Sequence, residues 1–205
     1  MTKDVVVLVS GTGTLLQALI DAIDSGALDA RVVAVVSDQS AAPALERARR
    51  HGIEAIAHPF AKGDDRSAWD EELADIVSAF EPDLVASAGF MKLLGEHFLA
   101  RFAGRTINTH PSLLPSFPGM RAAADALAAG VKVSGATVFL VDSGIDTGPI
   151  IEQRTVQVAD EDTEETLHER IKVVEREMLV DVVTRMARGG WQVEGRRVRL
   201  GGSVR

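Results

Sequence analysis

Residues 5–23 read Val5-Val6-Val7-Leu8-Val9-Ser10-Gly11-Thr12-Gly13-Thr14-Leu15-Leu16-Gln17-Ala18-Leu19-Ile20-Asp21-Ala22-Ile23. Positions 5–9 form an unbroken, mainly β-branched run, the pattern of a strand buried on both faces. The next five residues carry two glycines and end that strand in a tight turn. Apolar residues at 15, 16, 19, 20 and 23 then recur at helical spacing. A strand, a glycine turn and a helix begin a βαβ unit, which commits the chain to a parallel sheet with helices on its faces.

The same alternation continues outward from this stretch. Residues 31–36 and 53–57 read as strands, with a helix at 42–51 between them. A helix at 67–80 is expected to be capped by Ser67, with Asp70, Glu71 and Glu72 near its positive end. Residues 83–87 form a fourth strand and 105–109 a fifth. Three prolines between 111 and 118 forbid a regular helix or central strand there. A shaped loop is therefore expected just beyond a strand's C-terminal end, where open α/β sheets bind ligands. Residues 122–129 read as a helix and 134–141 and 149–158 as two strands. A long amphipathic helix follows at 163–188, with Thr163 as its cap, and residues 191–200 read as a small hairpin. The segment 116–130, rich in Ala and bounded by Gly119 and Gly130, is expected to be mobile. The expectation is an α/β fold, an open twisted and mostly parallel sheet flanked by helices. No repeat, low-complexity stretch or linker interrupts it, so residues 1–205 are expected to be a single domain.

Composition narrows the function classes. Hydrophobic residues are 46% and charged residues 25% of the 205, the balance of a folded globular chain. Aromatics are only 4%, so aliphatic side chains must fill the core. The net charge of −8 argues against a long nucleic acid as partner, because phosphate-backbone binding needs a basic face. The absence of Cys removes disulfides, zinc thiolates and cysteine nucleophiles. No apolar run approaches a membrane span, and the N-terminal apolar run is too short for a signal peptide, so a cytoplasmic protein is expected.

Three segments carry residues suited to chemistry. Gly11-Thr12-Gly13-Thr14 lies between a strand and a helix, where free N–H groups and the positive dipole end suit a phosphate. Leu16 stands where a dinucleotide fingerprint needs its third glycine, so a monophosphate fits better, and a plain βα turn accounts for the same residues. Asn108 and His110 lie two apart on an extended segment and project to one side. An amide beside an imidazolium makes a pair of donors for an oxyanion, although both residues equally suit bonds to backbone alone. The other histidines, His51, His58, His97 and His168, are expected at the surface. Residues 142–148 bring Asp142 and Asp146 between glycines, but the ligands of a calcium loop are missing. Asp146 there suits orienting a histidine and stabilising its cationic form, whereas Asp142 also suits a solvated turn. No Gly-x-Ser-x-Gly elbow supports a hydrolase, and His110 has no histidine at metal-ligand spacing.

Together these segments resemble the phosphoribosylglycinamide formyltransferases, a family of folate-dependent one-carbon transferases with a Rossmann-like fold. The resemblance covers nearly the whole chain. It rests on Val-Ser-Gly-Thr-Gly-Thr at 9–14, Ala-Gly-Phe-Met-Lys-Leu-Leu at 88–94, and Asn-Thr-His-Pro-Ser-Leu-Leu-Pro-Ser-Phe-Pro-Gly at 108–119. Gly-Ala-Thr-Val at 135–138 and Asp-Ser-Gly-Ile-Asp-Thr-Gly-Pro-Ile-Ile at 142–151 complete it. The resemblance implies formyl transfer from 10-formyltetrahydrofolate, a co-substrate, to the amine of glycinamide ribonucleotide, with no metal required. It implies that Asn108 and protonated His110 stabilise a tetrahedral oxyanion, while Asp146 keeps His110 charged and relays protons. Backbone groups of Gly13, Thr14 and Leu15 would hold the substrate phosphate, and Glu175 would contact its ribose or glycinamide end. Met91, Lys92, Leu93, Leu94, Asp142, Ser143, Gly144 and Ile145 would hold the folate pterin, with Arg66 near the folate's polar tail.

The chain departs from the family pattern at Leu15, where many relatives have Asn, and at Lys92, where Arg is expected. Phe139 and Ala123 stand where some relatives carry His. The same core of Asn, His and Asp occurs in methionyl-tRNA formyltransferase and in formyltetrahydrofolate deformylase. The first would carry an Arg-Gly loop where this chain has Phe117-Pro118-Gly119, and an RNA-binding domain. The second would need an N-terminal regulatory domain, whereas here the first strand begins by Val5. A non-catalytic phosphate- or nucleotide-binding module explains residues 11–14 but leaves Asn108, His110 and Asp146 unaccounted for. The expected partners are small molecules, with no nucleic acid or membrane, and a monomer or homodimer is the expected state.

Overall fold

The computed structural model describes residues 2–201, which form two compact units dividing between Asn108 and Thr109. The first unit contains β1 (Lys3–Val9), α1 (Thr14–Asp24), β2 (Ala30–Ser37), α2 (Pro43–Arg50), β3 (Glu54–Ala57), α3 (Arg66–Ser78), β4 (Leu84–Ser87) and α4 (Glu96–Phe102). Strand β5 (Thr106–His110) follows and runs across the boundary. The strand order is β3-β2-β1-β4-β5, and every one of these pairings is parallel. Val5, Val6, Val7, Leu8 and Val9 are buried, as a strand flanked on both edges and covered on both faces requires. Leu16, Leu19, Ile20 and Ala22 form the buried stripe of α1, and Pro43 opens α2 at a position where its missing N–H costs nothing.

Two local expectations need correction. Helix α3 is capped by Asp65 rather than Ser67: the Asp65 carboxylate accepts the amides of Ser67 at 2.8 Å and Ala68 at 3.2 Å, so Ser67 already lies inside the helix. His58, expected at the surface, is buried. Its ring stacks on Trp69 with centroids 5.0 Å apart, and Nε2 lies 3.0 Å from the Trp69 carbonyl. Its neighbours in sequence gave no sign of this, because the covering ring comes from the following helix. His51 is exposed, while His97 and His168 are half-buried.

Helix α4 was not anticipated, being only seven residues long. Its signal is Phe98 and Phe102, four apart, buried, with ring centroids 4.8 Å from each other. Gly95 precedes it and offers no side chain as a cap. Asp70, buried on α3, does this instead, accepting Gly95 N at 2.6 Å and Phe98 N at 3.0 Å.

The second unit contains α5 (Ala122–Ala128), β6 (Val133–Leu140), β7 (Ile150–Gln157) and α6 (Glu164–Gly189). The hairpin of β8 (Trp191–Glu194) and β9 (Arg197–Leu200) completes it. Strand order here runs β5-β6-β7, with β6 and β7 antiparallel. Thr163 caps α6 in a reciprocal pair with Thr166, and Glu164 and Glu165 meet the positive end of the helix dipole. The buried face of α6 is Leu167, Ile171, Glu175, Met178, Leu179, Val182, Val183 and Met186. Glu175 is the single ionisable side chain in that stripe.

Replacing Asp70 by Ala leaves the two N–H groups at the start of α4 without their acceptor. The expected loss is on the order of 3 kcal/mol of stability, read as a lower urea midpoint. An unchanged midpoint would show that α4 does not depend on this cap.

Candidate active site

The turn after β1 is shaped by Gly13. Its φ of 73° and ψ of 36° lie in the left-handed region, and a Cβ there would sit 2.7 Å from Ala44 Cβ, so no other residue fits. No side chain caps α1 and its first turn holds no acidic residue. The first amides of the helix therefore point outward uncapped, beside the positive dipole end, ready for an anion. Thr14 is exposed and Leu15 half-buried. Arg47 stands beside this turn, donating to the Thr12 carbonyl at 2.8 Å and to Gln17 Oε1 at 2.9 Å. Sequence reasoning missed Arg47, because it belongs to α2 and carries no motif.

A second cluster in the same unit surrounds the chain after β4. Ser10 Oγ accepts the amide of Met91 at 2.8 Å, Arg66 donates to the Leu93 carbonyl, and Asp70 holds Gly95. The main chain of 91–95 is thus tied at alternate residues, while Met91 and Leu93 are 64% and 59% exposed. Leu94 is buried. Exposed apolar side chains on a fixed backbone are the makings of a flat apolar platform. Arg66 lies over the Trp69 ring at 4.4 Å and the Phe60 ring at 5.4 Å, and its Nη1 is buried with no partner. Lys92 Nζ is 3.9 Å from Asp38 and 5.5 Å from the centre of Phe60. The structure therefore brings Arg66, Met91, Lys92, Leu93 and Leu94 together.

In the second unit, His110 ends β5 and is 5% exposed. Its Nε2 donates to the Phe117 carbonyl at 2.9 Å, so that nitrogen carries a proton. Its Nδ1 faces Asp146 Oδ2 at 3.4 Å. The same carboxylate oxygen accepts Gly119 N at 2.7 Å, which ties the start of the segment 116–130 to the pair. Asp146 has φ +54°, a left-handed conformation that Asp tolerates better than most side chains. Asn108 lies two residues before His110 on the same strand and is half-buried. An imidazole facing a carboxylate, two positions along a strand from an amide, can donate to an oxyanion and exchange protons.

Asp142 has a different role from Asp146. Its Oδ1 accepts Gly144 N at 3.0 Å and the Thr147 hydroxyl at 2.6 Å, which closes the turn that presents Ser143 and the exposed Ile145. The proline-rich loop is held by polar groups that the sequence did not reveal, centred on the buried Thr137. Thr137 Oγ1 donates to the Ser112 carbonyl at 2.7 Å and accepts Leu114 N at 3.1 Å, and Gln153 donates to the Leu114 carbonyl at 2.8 Å. Phe139 and Ala123 are core residues.

Glu175 is buried, and desolvation pushes its carboxyl up to about 7 against the opposing hydrogen bond from Thr109 and the charges of Lys172 and Arg176. Among the described residues, no group of three or more His, Asp or Glu is gathered as a metal site, and no helix is long and apolar enough to cross a membrane.

A family model described as formyl transferase matches residues 3–183. The phosphoribosylglycinamide formyltransferase of Mycobacterium tuberculosis strain H37Rv is 54% identical over 199 residues, covering 97% of this chain and 92% of the relative. Among solved structures, glycinamide ribonucleotide transformylase 1 from Symbiobacterium toebii aligns with a TM-score of 0.93 at 44% identity, covering 97% of this chain and 94% of that one. A formyltetrahydrofolate deformylase from Pseudomonas syringae aligns with a TM-score of 0.91 at 27% identity, covering 98% of this chain but 66% of that longer one.

The burial of Glu175 has a consequence for stability. Its folded-state pKa of about 7 exceeds the ordinary 4.5, so folding favours the protonated form. The resulting stability is fully present below pH 4.5 and disappears as pH rises through 7, a change on the order of 3 kcal/mol. Glu175→Gln is expected to flatten this part of the pH profile and to be more stable than the parent at pH 8, measured by urea denaturation at pH 5 and pH 8. A mutant less stable than the parent at pH 8 would contradict the desolvation account.

Proposed function

The chain belongs to the formyl transferase family, and on that footing we propose that it transfers the formyl group of 10-formyltetrahydrofolate to the amine of phosphoribosylglycinamide, in purine biosynthesis. The names of relatives that match almost end to end support the substrates. The observation that carries the chemistry is the approach of His110 Nδ1 to Asp146 at 3.4 Å, at the end of the strand that also carries Asn108.

The substrate amine attacks the formyl carbon, and a new N–C bond forms as the carbonyl oxygen takes the negative charge. The Asn108 side-chain amide and a ring N–H of protonated His110 donate to that oxygen. The intermediate collapses by breaking the bond from the formyl carbon to N10 of the folate. The attacking nitrogen loses a proton and N10 gains one, and Asp146 relays that proton through water while orienting the His110 ring. His110 Nε2 is bonded to the Phe117 carbonyl in this structure, so donation from that nitrogen requires the carbonyl to give way.

Binding follows the same division of labour. The amides at Gly13, Thr14 and Leu15 hold the substrate phosphate, with Arg47 adding positive charge nearby, and Glu175 meets the ribose or glycinamide end. The pterin lies on main-chain groups of Met91, Lys92, Leu93 and Leu94 and of residues 142–145. Arg66 serves the folate tail, and its unpartnered Nη1 supports that role. Residues 1–205 act as a single catalytic domain, in the cytoplasm, as a monomer or homodimer and without a metal.

The likeness to a deformylase supports a second reading, in which water replaces the amine as acceptor. Absorbance-monitored turnover of 10-formyltetrahydrofolate, with and without phosphoribosylglycinamide, separates the two. Turnover is expected only with the ribonucleotide. Asn108→Ala is expected to lower kcat by about 10²–10³-fold, the usual cost of one oxyanion donor. Asp146→Asn is expected to fall at least as far. Turnover without an amine acceptor would identify a hydrolase.

A further inference from the structure

Asp38 directly follows β2 and is 3% exposed, yet none of the chemistry above uses it. Its Oδ1 accepts the Ser10 hydroxyl, and its Oδ2 accepts Gln39 Nε2 at 3.0 Å and lies 3.9 Å from Lys92 Nζ. Ser10 in turn accepts the Met91 amide at 2.8 Å. A serine hydroxyl has one proton and can turn it either way, whereas a carboxylate can only accept. Asp38 therefore holds the Ser10 proton on its own side and leaves the Ser10 lone pairs aimed at Met91 N. Without Asp38, the hydroxyl loses the acceptor that fixes its rotamer, and its oxygen is free to swing away from that amide.

We infer that Asp38 is a positioning residue that acts through Ser10 to set the main chain of residues 91–94 for the folate co-substrate, an inference that rests on the function proposed above. The segment has three ties, to Ser10 at Met91, to Arg66 at Leu93 and to Asp70 at Gly95. The tie at Met91 is the first of them along the chain, next to the exposed Met91 and Leu93. The phosphate turn beyond Ser10 does not depend on the hydroxyl, because the Ser10 amide bonds the Gly89 carbonyl at 3.1 Å. The device thus serves the folate and not the ribonucleotide.

The test uses the full chain with Ser10→Ala, Asp38→Ala, the double variant and Asp38→Asn. Each alanine variant is expected to raise KM for 10-formyltetrahydrofolate by about tenfold, the worth of one main-chain hydrogen bond. The kcat and the KM for the ribonucleotide are expected to stay within about twofold, and the double variant to be no worse than the poorer single one. Asp38→Asn keeps an acceptor for Ser10 and is expected within about threefold of the parent. Hydrogen exchange at the Met91 amide, read without substrates, is expected to quicken in both alanine variants and not in Asp38→Asn.

Loss of kcat and both KM values together would reduce Asp38 to a general stabilising role and overturn the inference. An Asp38→Asn as impaired as Asp38→Ala would do so too, since charge opposite Lys92 would then be the operative feature. A parent chain that turns over no folate would refute the function, while unaltered Met91 exchange would refute the positioning role whatever the activity.

Discussion

A strand buried on both faces has to satisfy every amide and carbonyl against its neighbours, because no water reaches it. In β1 that condition is met by parallel pairing to β2 on one edge and β4 on the other. Its Val and Leu side chains have nothing polar to offer, so function is displaced to the ends of the strands. Because the pairings are parallel, the C-terminal ends of β1 and β4 lie on the same edge, and the turns that follow them are neighbours. Ser10 makes the link: its amide meets Gly89 and its hydroxyl meets Met91.

Polar groups inside this aliphatic protein have consistent tasks. Asp38, Asp70 and Thr137 are buried; Asp70 and Thr137 hold the main chain of a loop directly, while Asp38 accepts the Ser10 hydroxyl whose oxygen takes the Met91 amide. A buried carboxylate that accepts two amides or a hydroxyl keeps its charge satisfied, so it positions without a large penalty. Glu175 breaks that pattern. Its hydrogen bond from Thr109 does not offset desolvation, and it destabilises the ionised folded state in a stripe otherwise suited to Leu or Met. Under the function proposed above, that loss of stability is what its binding role costs. The left-handed backbone of Asp146 goes with a carboxylate turned toward both His110 and Gly119.

Most of the architecture was legible because its signals are local. The β-branched run at 5–9, the period of α1 and the cap at Thr163 each act within a few residues, and each element formed close to where it was read. The errors have equally local causes. Helix α4 is too short for a periodic pattern, and its cap comes from Asp70, twenty-five residues earlier. Asp65 and Ser67 are both good caps, and backbone geometry chose the first. His58 is covered by a ring from another element, which no window of neighbouring residues contains.

The sequence by itself determined the succession of strands and helices apart from α4, the glycine turn after β1 and the presence of residue types chemically suited to an oxyanion, because backbone propensity and side-chain chemistry are carried by single positions. It also marked Asn108 and His110 as a pair, since two residues apart on a strand share a face. The tertiary structure alone decided that Arg47 stands beside the glycine turn and that Asp38 accepts the Ser10 hydroxyl. These depend on hydrogen-bond geometry between groups from about twenty-five to forty residues apart in sequence. Distance and direction of that kind exist only once the core has packed.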